Sequence, residues 1–213
     1  MLSEDKLVVK IQQVNTGFFG TNTFIIESPE AAVVVDPDCN TQELIKILPS
    51  AKLSAVLLTH GHFDHISGSE SISNHFDIPI YIHKDDEELL CDGIKNASYT
   101  LLRRSITLQT DKIRVIDSGS TLWIKDMKIN TYHTPGHTRG GISYLIENHL
   151  FSGDLIFEGS WGRYDLYGGD FKALMNSIRS LSSLPEDTIV HTGHGSCGFT
   201  LKEYFTSMGM KDF

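Results

Sequence analysis

Three imidazoles and a carboxylate are concentrated in one stretch of seven residues, Thr59-His60-Gly61-His62-Phe63-Asp64-His65. Polar side chains crowded this tightly repel one another or lose hydrogen bonds unless a cation organises them. Imidazole and carboxylate donors suit zinc, iron or manganese. The alternation of His60 and His62 with Asp64 and His65 points side chains in two directions and could serve two neighbouring metals. We therefore predict a metal site here in preference to a solvated polar turn.

Two later motifs place a histidine beside glycine, which lets the backbone fold tightly around the imidazole. They are Thr134-Pro135-Gly136-His137-Thr138 and Gly193-His194-Gly195, and between them Ser152-Gly153-Asp154 ends an apolar strand with a carboxylate. Each is a weak signal alone, because such residues more often belong to turns or caps. Together with the first motif they form a donor set on loops at strand ends, where rigid elements hold functional side chains.

Short strands and a few helices must position these loops. Apolar segments of four to six residues, rich in valine, isoleucine and aromatic residues, recur along the chain and indicate strands. The predicted strands cover residues 7–13, 23–27, 32–36, 55–59, 80–83, 114–116, 128–133, 142–147, 149–152 and 188–192. Helices are predicted over residues 42–48, 68–75, 85–90 and 171–181.

Strands with interspersed helices fit a doubly wound parallel sheet or a two-sheet sandwich with outer helices. The turns Glu147-Asn148 and Ser118-Gly119-Ser120 join strands too close for a crossover helix, so antiparallel pairing must be frequent. This favours the sandwich. We interpret Trp123 as a core residue of a strand, and the acidic run Asp85-Asp86-Glu87-Glu88 as a solvated helix start.

Composition limits the partners and the compartment. The 213 residues carry a net charge of -9, and they lack the clustered Lys and Arg that nucleic acid binding needs. No apolar run approaches the ~20 residues of a membrane span, and no secretory leader is recognisable. The cysteines Cys39, Cys91 and Cys197 are widely spaced and suit free thiols in a reducing compartment. We expect a cytoplasmic protein that forms one domain over residues 1–213 and binds neither nucleic acid nor membrane; the sequence does not indicate its oligomeric state.

The series T-H-x-H-x-D-H, T-P-G-H-T, S-G-D and G-H-G, in this order, resembles the metallo-β-lactamase superfamily. Residues 21–24 and 33–37 also resemble the early strands of that family. The resemblance implies an α/β fold, a four-layer αβ/βα sandwich with two divalent metals at one edge. We expect zinc, with iron or manganese as alternatives. It also implies that the first metal is bound by His60, His62 and His137, the second by Asp64, His65 and His194, and both by Asp154.

The stretch from Ser152 through Trp161-Gly162-Arg163-Tyr164-Asp165 to Asp170 is similar to the glyoxalase II group, in its short single-domain form. The resemblance implies a basic substrate contact at Arg163, beside which Trp161 and Tyr164 are candidates for the substrate cleft. Arg163 could instead form an ion pair with Asp165 or Asp170. The chain ends 19 residues after His194, so we expect no C-terminal helical domain of the kind that binds glutathione.

The expected function is that of a dinuclear metal-dependent hydrolase that cleaves acyl-glutathione-type thioesters, such as S-lactoylglutathione. A hydroxide bridging the two metals would attack the thioester carbonyl, and Asp64 would orient it as the catalytic residue. Asp154 stands where the best-known secreted zinc β-lactamases carry cysteine, which argues against lactam hydrolysis. The alternatives are an iron-dependent persulfide dioxygenase, and a lactonase or broad esterase of the same superfamily.

Overall fold

The computed structural model describes residues 7–15, 17, 19–38, 41–48, 52–117 and 119–210. Six strands form the first sheet: β1 (Lys10–Val14), β2 (Thr23–Glu27), β3 (Ala32–Val35), β4 (Leu53–Leu57), β5 (Ile80–His83) and β6 (Ile113–Ile116). The pairs β1–β2 and β2–β3 are antiparallel, whereas β3 to β6 pair in parallel. The connections carry α1 (Thr41–Ile47), α2 (Phe63–Ile66), α3 (Ser69–Phe76), a 3₁₀ helix (Lys84–Cys91) and α4 (Ser98–Leu102).

The second half of the chain adds eight strands: β7 (Thr121–Ile124), β8 (Met127–His133), β9 (Ile142–Ile146), β10 (His149–Gly153), β11 (Ile156–Phe157), β12 (Ser160–Trp161), β13 (Ile189–Thr192) and β14 (Phe199–Thr200). Strands β11 and β12 pair only with each other, and the other six form the second sheet in the order β14-β13-β10-β9-β8-β7. In that sheet β10 and β13 are parallel and the other pairs are antiparallel. Two helices, α5 (Phe171–Ser180) and α6 (Leu201–Ser207), and a short 3₁₀ turn (Leu181–Ser183) complete the fold.

Three apolar cores separate four layers, because alternate residues of a strand point to opposite faces of its sheet. On the outer face of the first sheet, Val34 and Val56 pack with Leu44 of α1 and Ile72 of α3. The core between the sheets is built from inward residues of both, which include Val33, Val35, Leu57, Met127, Ile129 and Tyr144. On the outer face of the second sheet, the core joins strand residues to α5 and α6 and includes Leu150, Val190, Leu174, Ile178, Leu201 and Tyr204. The predicted four-layer α/β sandwich is confirmed.

Most predicted elements are present within a few residues of their expected bounds. The Glu147-Asn148 turn joins the antiparallel strands β9 and β10, as predicted. Helix α5 follows its expected cap, since Asp170 accepts a hydrogen bond from the Ala173 N–H at 2.7 Å. The prediction missed β11, β12 and β14 and the helices α2, α4 and α6, which are all short. Strand β7 was expected only as the strand that carries Trp123, without bounds. Among the described residues, no helix has the length and apolar character needed to cross a membrane.

Two interpretations from the sequence are wrong. The turn at residues 118–120 does not close a hairpin, because β6 and β7 lie in different sheets and this connection crosses between them; Ser118 lies outside the described residues. Trp123 is not a core residue, since 64% of it is exposed. Strand β7 is the edge of its sheet, and Leu122 and Ile124 take the inward positions on either side of Trp123. Cys91 and Cys197 are free thiols, as expected, and Cys39 lies outside the described residues.

Tyr144 lies fully buried between the two sheets, and its hydroxyl donates a hydrogen bond to the Leu58 carbonyl oxygen at 2.8 Å. Replacing Tyr144→Phe removes this bond, so we expect the free energy of unfolding to fall by about 1 kcal/mol. Tyr204→Phe is the matched control, because the buried Tyr204 hydroxyl has no hydrogen-bond partner among the described residues. Urea denaturation measures both variants. Equal losses of stability would contradict this account of the two hydroxyls.

Candidate metal centre

The four motifs meet because each follows the carboxyl end of a strand. The loops carrying His137, Asp154 and His194 come after β8, β10 and β13. Strands β8 and β10 are both antiparallel to β9, and β10 is parallel to β13, so all three end at the same edge of the second sheet. The first motif follows β4 of the first sheet and continues into helix α2. One edge of the sandwich therefore collects donors from both sheets.

The first donor cluster consists of His60, His62 and His137, all buried, with their donor nitrogens within 4.8 Å of one another. His62 Nδ1 lies 2.9 Å from His137 Nε2. The Nε2 atoms of His60 and His62 are buried without a hydrogen-bond partner among the described residues. Buried polar atoms are normally paired, because an unpaired one loses its hydration without compensation. A cation bound by His60 Nε2 would provide that compensation for His60.

The second donor cluster consists of Asp64, His65 and His194, again with donor atoms within 4.8 Å. His194 Nε2 lies 3.2 Å from Asp64 Oδ2 and 3.3 Å from His65 Nε2. Asp154 lies between the two clusters, with Oδ2 at 3.5 Å from His137 Nε2 and Oδ1 at 3.5 Å from His65 Nε2. The structure therefore brings together all seven side chains that the sequence motifs indicated as metal ligands.

Asp36 orients imidazoles of both clusters from behind. Its Oδ2 lies 2.9 Å from His65 Nδ1 and accepts a 2.5 Å hydrogen bond from the Thr59 hydroxyl. That hydroxyl lies 3.1 Å from His60 Nδ1, so it can accept from the imidazole while it donates to Asp36. A proton held on Nδ1 leaves Nε2 as the free donor atom. This arrangement turns the Nε2 atoms of His60 and His65 toward the centre.

Backbone carbonyl oxygens fix the orientation of two further imidazoles in the same way. The Nδ1 atom of His137 lies 2.7 Å from the Arg163 carbonyl oxygen, and that of His194 lies 3.3 Å from the Gly20 carbonyl oxygen. A carbonyl can only accept, so these contacts also place the proton on Nδ1. Four of the five imidazoles thus present Nε2 to the centre, where it can serve as a metal ligand.

The two clusters differ in charge. Burial and the neighbouring imidazoles lower the pKa of His60 far below its ordinary value, and burial has the same effect on His62. Burial opposes the charging of His65, but Asp154, Asp64 and Asp36 outweigh it and raise the pKa of His65 to about 10. Burial likewise opposes the charging of Asp64, yet His65 and His194 hold its pKa well below the usual range. His60 and His62 are therefore neutral bases, whereas the second cluster stabilises positive charge among carboxylates.

The motif Gly193-His194-Gly195 needs its first glycine to approach the centre. A Cβ at Gly193 would lie 2.1 Å from Asp154 Oδ1 and 2.8 Å from His65 Cε1, so no side chain fits there. Asn22 fixes this loop to the first sheet: its backbone N–H donates to the Gly193 carbonyl at 2.7 Å, and its Nδ2 donates to the Thr192 carbonyl at 3.0 Å. The segment of residues 21–24, which the resemblance singled out, thus holds the loop that carries His194.

A cleft of about 430 Å³ opens onto both clusters. Arg163 lines it, but its guanidinium forms a bidentate ion pair with Asp165 at 2.8 and 3.0 Å, which is the alternative that the sequence left open. Trp161 and Tyr164 do not line this cleft; their rings pack at 6.3 and 4.9 Å from that of Phe171. Contact of these three residues with substrate stays a prediction.

Another histidine pair lies outside the centre. His83, Asp85 and His133 have potential donor atoms within 4.8 Å of one another. The rings of His83 and His133 are stacked at 4.1 Å and only 13° from parallel, and His133 Nε2 lies 2.9 Å from the Arg139 carbonyl oxygen. Near-parallel stacked imidazoles direct their nitrogens side by side and do not converge on one point. We therefore interpret these histidines as structural groups.

The comparisons with known proteins assign the family. The sequence profile of the Metallo-beta-lactamase superfamily matches residues 16–194. The chain belongs to this superfamily. It is 32% identical over 192 residues to the probable metallo-hydrolase YqgX of Bacillus subtilis, which covers 88% of this chain and 90% of the relative. It is 28% identical over 186 residues to the hydroxyacylglutathione hydrolase GloC of Haemophilus influenzae, with 85% and 88% covered.

Among solved structures, the fold is similar to that of the B3 metallo-beta-lactamase BLEG-1. The TM-score is 0.88 at 35% identity, and the match covers 92% of this chain and 97% of BLEG-1. The superfamily match, the likeness to a metallo-hydrolase and the candidate ligand clusters identify this chain as an enzyme of the metallo-hydrolase type.

Sequence reasoning missed two carboxylates that support the centre. Asp36 was noted only as part of a family-like strand, although a carboxylate directly after the buried strand β3 is a signal that could have found it. Asp86 was interpreted as part of a solvated acidic run, which is wrong for this residue, because it is fully buried. Its carboxylate accepts hydrogen bonds from Gly61 N–H at 3.0 Å, the Thr138 hydroxyl at 2.7 Å and Gly140 N–H at 2.6 Å. Asp86 thereby ties the first ligand loop to the second.

Replacing Asp36→Asn tests the positioning of the imidazoles. An amide cannot accept all three of the hydrogen bonds that reach this carboxylate, so His65 loses its fixed orientation. We expect the affinity for one divalent metal to fall about 10- to 100-fold. Competition with a chromophoric chelator measures it. The control is Asp126→Asn, whose carboxylate accepts from Ser28 and Glu30 away from the centre. Unchanged metal affinity in Asp36→Asn would contradict the assigned role.

Proposed function

We propose that this protein is a dinuclear metal-dependent hydrolase of acyl-glutathione-type thioesters, of the S-lactoylglutathione class. The observation that carries the proposal is the convergence of two donor clusters, with Asp154 between them, in one open cleft. The similarity to GloC, a hydroxyacylglutathione hydrolase, supports the substrate class. We also propose that the protein acts in the cytoplasm on a small-molecule substrate.

The residues present fit two divalent metals. His60, His62 and His137 would hold one, Asp64, His65 and His194 the other, and Asp154 would contact both. The buried, unpartnered His60 Nε2 and Asp154 Oδ1 support this assignment, since each lacks a hydrogen-bond partner among the described residues. When bound, the metals, which we propose to be zinc with iron or manganese as alternatives, supply Lewis acidity and lower the pKa of water.

Asp64 is the residue we propose to orient the attacking water. Its carboxylate lines the cleft, and His65 and His194 keep it ionised by holding its pKa well below the usual range, against the effect of its burial. An ionised carboxylate accepts hydrogen bonds and can hold a water by its proton. The described residues that line the cleft include no serine, cysteine or lysine, so attack by water fits better than a covalent intermediate on the chain. A thiolate leaves without a dedicated general acid, because its conjugate acid has a pKa of about 8.5.

Lactam hydrolysis is the second candidate. The likeness to BLEG-1, at 35% identity over 92% of this chain, favours it. The carboxylate at Asp154 led us to expect no lactam hydrolysis, and that expectation stays a prediction. Both candidates use the same centre, so substrate turnover must separate them.

The test compares substrates on the metal-loaded protein. We expect hydrolysis of S-lactoylglutathione that falls about 100-fold or more in Asp154→Ala, with metal content reduced below two ions per chain. Asp126→Asn serves again as the control and should retain the hydrolytic activity and the metal content. Faster cleavage of a chromogenic cephalosporin would favour the lactamase. Oxygen uptake with glutathione persulfide, without thioester cleavage, would contradict the proposal.

A further inference from the structure

We infer that the cleft binds an apolar acyl arm, so that among the acyl-glutathione thioesters of the proposed function those of straight-chain apolar acids are cleaved faster than S-lactoylglutathione. This inference rests on the proposed function and names its substrate class. The cleft is lined by twelve described residues, of which six are apolar. These six are Phe19, Phe63, Ala97, Leu101, Phe157 and Leu166. We call this set the apolar wall.

The polar residues of the lining are already assigned to the proposed metals or to an ion pair. Of its six residues, five belong to the two donor clusters or to Asp154, and the sixth is Arg163. The Arg163 guanidinium is bound in a bidentate manner by Asp165. The described lining contains no serine, threonine, tyrosine, asparagine or glutamine to bind the hydroxyl of a hydroxyacyl group. What the cleft offers beside the proposed metals is therefore apolar contact.

The apolar wall is built into the fold beside the ligand loop. The rings of Phe19 and Phe63 meet edge to face at 4.8 Å, and Phe63 directly follows the donor His62. The Phe63 N–H donates to the Asn96 carbonyl oxygen at 3.2 Å, and Asn96 immediately precedes Ala97 of the wall. This bond fixes the segment that starts α4 relative to the donors.

Two further features hold that segment in place. Asn96 is fully buried, and its side-chain amide donates to the carbonyl oxygens of Leu89 at 3.0 Å and Ile106 at 2.7 Å. Ala97 adopts φ 68°, a left-handed conformation that is unfavourable for a residue other than glycine. Such conformations persist where the surroundings impose them, and they are concentrated at ligand sites. Ala97 of the wall is therefore held in a fixed position beside the donors.

Leu101 is the part of the wall that has most to gain from substrate. It lies in α4 with 57% of its surface exposed, although it lines the cleft. Apolar surface gains free energy in proportion to the area that leaves water, about 0.8 kcal/mol for a fully buried methylene, which is about fourfold in an equilibrium constant. An acyl chain that covers Leu101 would remove both its own apolar surface and that of Leu101 from water. A lactoyl group is too short and too polar to do so.

The test uses S-acylglutathiones that differ only in the acyl group: lactoyl, acetyl, butyryl and hexanoyl. We expect kcat/KM to rise by about two- to fourfold for each added methylene. In Leu101→Ala, kcat/KM should depend less on chain length, whereas Leu101→Met should retain the dependence. The matched control is Ile47→Ala, since Ile47 is an exposed apolar residue of α1; it should also retain the dependence. Calorimetry with the thioethers S-methylglutathione and S-hexylglutathione gives a readout without turnover, in which the hexyl compound should bind more tightly and lose this advantage in Leu101→Ala.

The outcomes separate the two proposals. Thioester cleavage that does not depend on chain length, or a dependence that Leu101→Ala leaves unchanged, would overturn the apolar acyl site alone. Cleavage that is fastest with the lactoyl thioester would also overturn the apolar acyl site alone. Absence of cleavage with every acyl group would overturn the proposed function, and with it this inference.

Discussion

The convergence of five imidazole rings at one edge of the sandwich is the constraint on which the rest of the structure depends. Four buried imidazoles and a half-buried fifth face one another there, and two of them have buried Nε2 atoms with no partner among the described residues. Such a cluster is unfavourable in itself, since desolvated like groups repel and lose hydration. The apolar cores on both sides of each sheet must offset this cost. A divalent cation bound by these side chains would remove the repulsion and stabilise the same arrangement.

The fold meets this constraint with directional hydrogen bonds placed behind the donors. Asp36 reaches both clusters through His65 and Thr59, and Asp86 joins the first ligand loop to the loop carrying His137. These carboxylates belong to the first sheet and its connections, whereas three of the four ligand loops belong to the second sheet. The centre is therefore also a junction between the two halves of the chain, and its geometry depends on their packing.

The first motif stands out from the sequence alone, because three histidines and an aspartate fall within seven residues. The other motifs are weak signals alone, and the resemblance to the superfamily joined them into the ligand set, which stays a prediction. Sequence reasoning also identified most strands, since their apolar alternation is local. It was wrong about Trp123 because an edge strand can leave a large aromatic residue on its open face. The turn at residues 118–120 was misinterpreted because a short connection does not reveal whether two strands share a sheet. Burial of Asp86 depends on a loop more than fifty residues further along the chain, and no local pattern encodes that.

The central claim is that two metal ions bind at the two donor clusters. Anomalous diffraction from crystals of the metal-loaded protein, recorded on both sides of the metal absorption edge, tests it most directly. The account predicts two peaks per chain, one at the first cluster, the other at the second, and Asp154 in contact with both. A single peak, no peak at these donors, or a peak at His83 and His133 in their place would contradict it.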